Sequence, residues 1–171
     1  MKEGFLRNLI VFLWIIICFL LQTTLFKHLA LADVVPNFLL ILTVSISYIR
    51  GQKSGMLCGF LCGLLIDMMY GDLLGINALI FMLLGFLNGF VNYIYEEEDF
   101  TFPVLITAAS DLVYNFLFYI ISFSLRSRLE LGFYFRRIML PELVYTLLLS
   151  VFLYRLIQKT MKLPEKASEQ K

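Results

Sequence analysis

Three carboxylates lie inside apolar stretches of the 171-residue sequence, Asp67, Asp111 and Glu142, and each is a position where chemistry could be done. An acid at membrane depth is costly unless it faces a polar cavity, a cation or another polar group, so such residues mark ion paths, ligand sites or helix contacts. Their settings differ. Asp67 falls near the C-terminal end of its helix, where the macrodipole disfavours an anion, so a cation, a backbone donor or protonation must compensate it. A bundle-stabilising hydrogen bond and a partner-binding role are both open there. Asp111 lies about eight residues, or roughly 12 Å, into its span, with Asn115 one turn further along the same face. Polar contact with another helix of the chain is favoured there over an ion or ligand site. Glu142 follows Pro141 at an expected helix start, where proline suits the first turn and a carboxylate complements the dipole, so capping accounts for it. Asn77, Phe81, Leu84, Asn88 and Asn92 form one helical stripe that turns three amides toward a common neighbour. Interhelical hydrogen bonding is favoured over a substrate path.

A second pattern surrounds Asp67. Gly51, Gly55, Gly59 and Gly63 recur at i,i+4, and the same ridge continues to Asp67 and Gly71. Helices in lipid gain little from hydrophobicity and associate through close packing, which small-xxx-small ridges permit. Packing within the bundle is the favoured reading of this ridge; the alternative is a subunit interface, a homodimer included. Gly85 and Gly89 fit intramolecular packing for the same reason. Cys18, Cys58 and Cys62 all lie in apolar runs, and the i,i+4 spacing of the last two suits a helix face rather than a CxxC turn. The sequence contains no P-loop, HExxH or GxSxG, and its single histidine, His28, excludes histidine-based metal clusters. Neither an enzyme nor a cofactor is expected.

These residues are positioned by membrane spans. Hydrophobic residues make up 60% of the sequence and charged residues 16%, with a mean hydropathy of +0.84, far from the balance of a soluble domain. The net charge of +1 and its scatter between apolar runs exclude nucleic acid as a partner. About 20 apolar residues cross a bilayer core. On that measure six spans are expected: Leu6 to Phe26, Val35 to Ile49, Gly55 to Tyr70, Leu73 to Tyr95, Pro103 to Leu125 and Ile138 to Gln158. The second and third are short, so a count of four or five is the alternative. The fold class is therefore all-α: one polytopic membrane helix bundle over residues 1–171, with a short basic tail from about 159 to 171. The first span is read as an uncleaved signal anchor, despite Ala30-Leu31-Ala32, because its apolar run exceeds a secretory h-region. Tyr48, Tyr70, Tyr93, Tyr95, Tyr134 and Tyr154 near span ends fit interfacial anchoring, and the Glu96 to Asp99 run reads as a solvated loop.

Orientation follows from the basic residues. With the N-terminus inside, Lys2, Arg7, Arg50, Lys53, Arg155, Lys159, Lys162, Lys166 and Lys171 face the cytoplasm, and Lys27, Arg126, Arg128, Arg136 and Arg137 face out. Nine against five favours both termini in the cytoplasm.

Several fragments in order resemble the MreD family of rod shape-determining proteins over nearly the whole chain. They are Pro36-Asn37-Phe38-Leu39-Leu40-Ile41-Leu42, Arg50-Gly51, Gly55 with Gly59-Phe60, Gly63-Leu64-Leu65, Asp67, Gly71, Leu74-Gly75, Asn77-Ala78-Leu79 and Gly85. Asn37 departs from the family, whose members often carry an acid after the proline. The resemblance implies a non-enzymatic component of the inner-membrane machinery that guides peptidoglycan synthesis during cell elongation. It implies MreC as partner, with MreB, RodZ, RodA and a class B penicillin-binding protein in the same assembly. It also implies a fold like the substrate-binding (S-component) subunits of energy-coupling-factor (ECF) transporters, which supplies the rival reading of a small-molecule-binding transporter subunit. That rival expects a pocket lined by Asn77, Asn88 and Asp111. The adaptor reading expects the Gly51 to Gly63 ridge and Asp67 to receive MreC's membrane helix.

Overall fold

The computed structural model describes residues 2–25, 35–70, 75–91, 101–126, 132 and 135–169. Expectations placed on Ala30-Leu31-Ala32, Lys27, His28, Gly71, Asn92, the Glu96 to Asp99 run, Arg128 and the Tyr70, Tyr93, Tyr95 and Tyr134 side chains lie outside what is described. Among the described residues, six α-helices follow one another: α1 (Lys2–Leu20), α2 (Phe38–Arg50), α3 (Gln52–Tyr70), α4 (Ile76–Asn88), α5 (Thr101–Arg126) and α6 (Leu140–Glu169). A π-helical turn, Leu21–Leu25, extends α1, and another, Phe135–Met139, leads into α6. The architecture is the all-α membrane bundle expected.

Among the described residues, three segments are long and apolar enough to cross a membrane: Gly4–Thr24, Phe102–Ile121 and Phe135–Met161. α2 and α4 have 13 residues each, about 20 Å of helix against a hydrocarbon core of about 30 Å. The second span is short, as its sequence suggests. The fourth, expected to run from Leu73 to Tyr95, is short as well: α4 begins after Gly75 and ends at Gly89, where the chain meets the backbone of Gln52.

α2 is the hub. Every residue from Phe38 to Tyr48 is buried, and the helix packs against α1, α3, α4, α5 and α6. A helix that is apolar all round belongs inside a bundle. Thr43, Ser45 and Ser47 fit there because their hydroxyls donate back to the carbonyls of Leu39, Ile41 and Thr43 at 2.6–2.8 Å. The amino end of α2 also has its donors satisfied. The Phe38 N–H reaches the Pro36 carbonyl, the Leu39 N–H reaches Gln22 Oε1, and the Leu40 N–H reaches Asn37 Oδ1 at 3.1 Å. Asn37 is thus the N-cap, a task that asparagine and aspartate perform about equally, so its departure from the family pattern leaves the helix start intact. Tyr48 and Tyr154, expected at the membrane interface, are instead buried and meet edge to face with ring centroids 6.1 Å apart. Nearness to a span end does not place a side chain outside when its helix is central.

Candidate functional site

The site begins with the glycine ridge. A Cβ at Gly59 would collide with the Phe81 carbonyl, one at Gly63 with the Asn77 carbonyl and Ala78 Cα, and one at Gly55 with Ser47 Oγ and the Gly85 carbonyl. The contact is reciprocal, since a Cβ at Gly85 would strike the Gly55 carbonyl. Each turn along α3 is matched by a turn back along α4, so the two helices pair antiparallel at backbone contact. The expectation that this ridge presents a surface to a partner's helix is corrected: α4 of the same chain fills it. Gly51 lies outside α3 altogether. It terminates α2 with φ of 79°, a left-handed conformation that glycine adopts without strain, and its N–H bonds the Ser47 carbonyl at 2.9 Å.

Asp67 completes the same hairpin. Its Oδ2 accepts from the backbone N–H groups of Gly75 at 3.0 Å and Ala78 at 2.9 Å, while its Oδ1 accepts from the Asn77 N–H at 3.1 Å and from Asn77 Nδ2 at 2.9 Å. The carboxylate therefore caps α4 from outside that helix, and the positive end of the α4 dipole offsets the unfavourable end of its own. Of the compensations open to Asp67, the structure uses backbone donors. Gly75, with φ of 105°, brings the chain round so that these donors converge.

From Asn77 the polar contacts continue to α5. Tyr114 donates its hydroxyl to Asn77 Oδ1 at 3.0 Å and packs edge to face on Phe81, and Asn88 donates Nδ2 to Ser110 Oγ at 2.8 Å. Two amides of the α4 stripe thus meet one neighbour, as their spacing suggests. Both amides are engaged by α5, Asn77 by Tyr114 and Asn88 by Ser110, the residue before Asp111.

Asp111, on the same helix as Ser110, is the exception to this satisfaction. It is 1% exposed, and neither carboxylate oxygen has a hydrogen-bond partner among the described residues. Asn115 donates to the Asp111 carbonyl at 3.1 Å, and its side chain also hydrogen-bonds Glu142, which lies near enough to feel the Asp111 charge. Glu142 lies in the first turn of α6, as expected. The π-helical turn Phe135–Met139 runs directly into α6, and the bond to Asn115 makes Glu142 a contact between α5 and α6 as well. The wide turn falls just before Pro141, whose missing N–H interrupts the helical ladder. Beside this pair, Thr146 Oγ1 accepts from the Asn37 N–H at 3.2 Å and ties α6 to α2.

The remaining links are structural. Trp14 donates Nε1 to Thr160 Oγ1 at 2.9 Å, joining α1 to α6. Cys18, Cys58 and Cys62 are free and buried in the core, consistent with packing.

Sequence reasoning missed two features. The backbone cap that Asp67 places on α4 was legible only as a demand for compensation. The hub role of α2 had a signal, an apolar helix carrying small hydroxyl residues on several faces. A family model described as rod shape-determining protein MreD matches residues 3–163. Comparison with curated proteins and with solved structures gives no match.

Proposed function

The chain belongs to the rod shape-determining protein MreD family, and from that premise we propose that it serves the rod-shape machinery as a membrane adaptor for MreC. In this role it helps to localise or regulate peptidoglycan synthases. MreB, RodZ, RodA and a class B penicillin-binding protein are the further members of the assembly, and both termini lie on the cytoplasmic side of the inner membrane. The observation that carries the adaptor reading is the distribution of apolar surface. Leu105, Val113 and Phe116 on α5, and Val144, Leu148 and Phe152 on α6, face outward, so helix faces are what this chain offers a partner within the bilayer. The Gly55–Gly63 ridge supports that role indirectly, by locking α3 to α4. Specificity then comes from shape and a few polar contacts on an outer face.

The test is affinity purification of the tagged chain from native membranes in mild detergent, with co-purifying proteins identified without preselection. MreC and wall synthases in near-stoichiometric yield are the expected result. A transporter ATPase or a bound metabolite, with no wall-synthesis partner, overturns the reading.

One observation favours the transporter-subunit reading: the unsatisfied Asp111 carboxylate beside Glu142 would suit a donor-bearing small molecule. Under that reading, Asp111→Asn abolishes metabolite recovery. Under the adaptor reading, the same substitution leaves MreC recovery unchanged.

A further inference from the structure

At the end of the bundle away from the Asp67 cap, a cavity of about 410 Å³ opens between α1, the end of α2 and the start of α3. Its walls are apolar, with Phe12, Ile15, Leu57 and Leu61 among them, and Arg50, Lys53, Asn8 and Ser54 also line it. Arg50 donates Nη2 to Asn8 Oδ1 at 2.9 Å, which uses one corner of a guanidinium that carries five donors. Arg7 lies near enough to Arg50 for the two charges to repel, and its Nε is buried with no hydrogen-bond partner among the described residues. Among the described residues, none of Arg7, Arg50 and Lys53 has an ion pair to a carboxylate.

Like charges gathered beside an apolar groove raise one another's energy, and an anion relieves this. The apolar walls, in turn, favour hydrocarbon. We propose that this groove is a binding site for one anionic phospholipid, with its phosphate held by Arg50 and Lys53 and an acyl chain lying against Phe12, Ile15, Leu57 and Leu61. Charge complementarity selects the occupant. Free phosphate answers the cations and leaves the walls uncovered, whereas a zwitterionic lipid covers the walls and gains little from the cations. Basic pockets between membrane helices recognise lipid headgroups by the same physics.

The experiment is native mass spectrometry of the detergent-purified full chain, titrated with phosphatidylglycerol and with phosphatidylcholine of identical acyl chains. Phosphatidylglycerol is expected to bind in preference. Lys53→Gln, at an exposed side chain, should weaken phosphatidylglycerol about five-fold, the equivalent of about 1 kcal/mol, and leave phosphatidylcholine unchanged. Arg50→Lys keeps the charge and should lose less than Arg50→Gln. Leu57→Trp should weaken both lipids by filling the groove. Lipid-induced thermal stabilisation of the unaltered protein, greater for phosphatidylglycerol, gives a readout that needs no variant. Equal binding of the two lipids overturns the proposal, as does unchanged phosphatidylglycerol binding by Lys53→Gln. Displacement of the lipid by inorganic phosphate, or another polypeptide cross-linking at position 57 in native membranes in place of lipid, overturns it too.

Discussion

Asp67 accepts four hydrogen bonds from the first turn of α4 and its approach, so its removal leaves several buried donors without a partner. Asp67→Ala should lower stability by at least about 3 kcal/mol, since hydrogen bonds to a charged acceptor contribute about 1.5–3 kcal/mol each and do not add fully. Asp67→Asn should fall between Asp67→Ala and the unaltered protein, because one oxygen becomes a donor facing N–H groups. Thermal unfolding in detergent orders the three. Gly59→Leu drives a side chain into the Phe81 carbonyl and should destabilise the protein by about 1–3 kcal/mol or more, read as a fall in unfolding temperature with loss of monodisperse yield. A normal unfolding temperature for Gly59→Leu would show that the ridge is open rather than filled by α4. Asp111→Asn behaves oppositely. Exchanging a buried, unpartnered carboxylate for a neutral amide of the same shape should be neutral or stabilising by about 1 kcal/mol in the same assay. At this scale the sequence identified the special residues well, because glycine periodicity and an acid in an apolar run have few physical explanations. It could not name their partners. Spacing says that a face is closely packed, and only the path of the chain through Gly75 decides that α4 is what packs there.

Among the elements, α2 touches all five of the other helices and is the least legible. Its length follows from Asn37 at one end and Gly51 at the other, and both boundaries could be approached from sequence. Its centrality could not, since a short apolar run reads equally as a weak span or a buried helix. The cap offers a direct check. Asn37→Asp should fold with little change, whereas Asn37→Ala should cost about 1 kcal/mol, measured by thermal unfolding, as the Leu40 N–H loses its acceptor. α6 shows the opposite limit. Pro141-Glu142 reads locally as a helix start, and α6 does start there, yet the chain enters it from Phe135 through a π-helical turn that propensity rules do not anticipate. Glu142 is also a partner of Asn115 on α5.

For the whole molecule, three long helices and three that are shorter or less apolar form a bundle whose polar groups are largely satisfied internally and whose outer faces are apolar. The fold class was readable from composition because runs of apolar residues this long have few other uses. The partner surface was not readable, because the most conspicuous helix-packing pattern in the chain is consumed by the chain itself. The adaptor account therefore makes a spatial claim: MreC contacts one outer face, and the glycine ridge is not part of it. Site-specific photo-crosslinking in native membranes tests this most directly, with the probe placed in turn at the exposed positions Leu13, Phe60, Leu83, Phe116, Leu148 and Phe152. The account predicts adducts with MreC from neighbouring positions on one face and none from the others. No MreC adduct at any position, or equal adducts at all six, would contradict it.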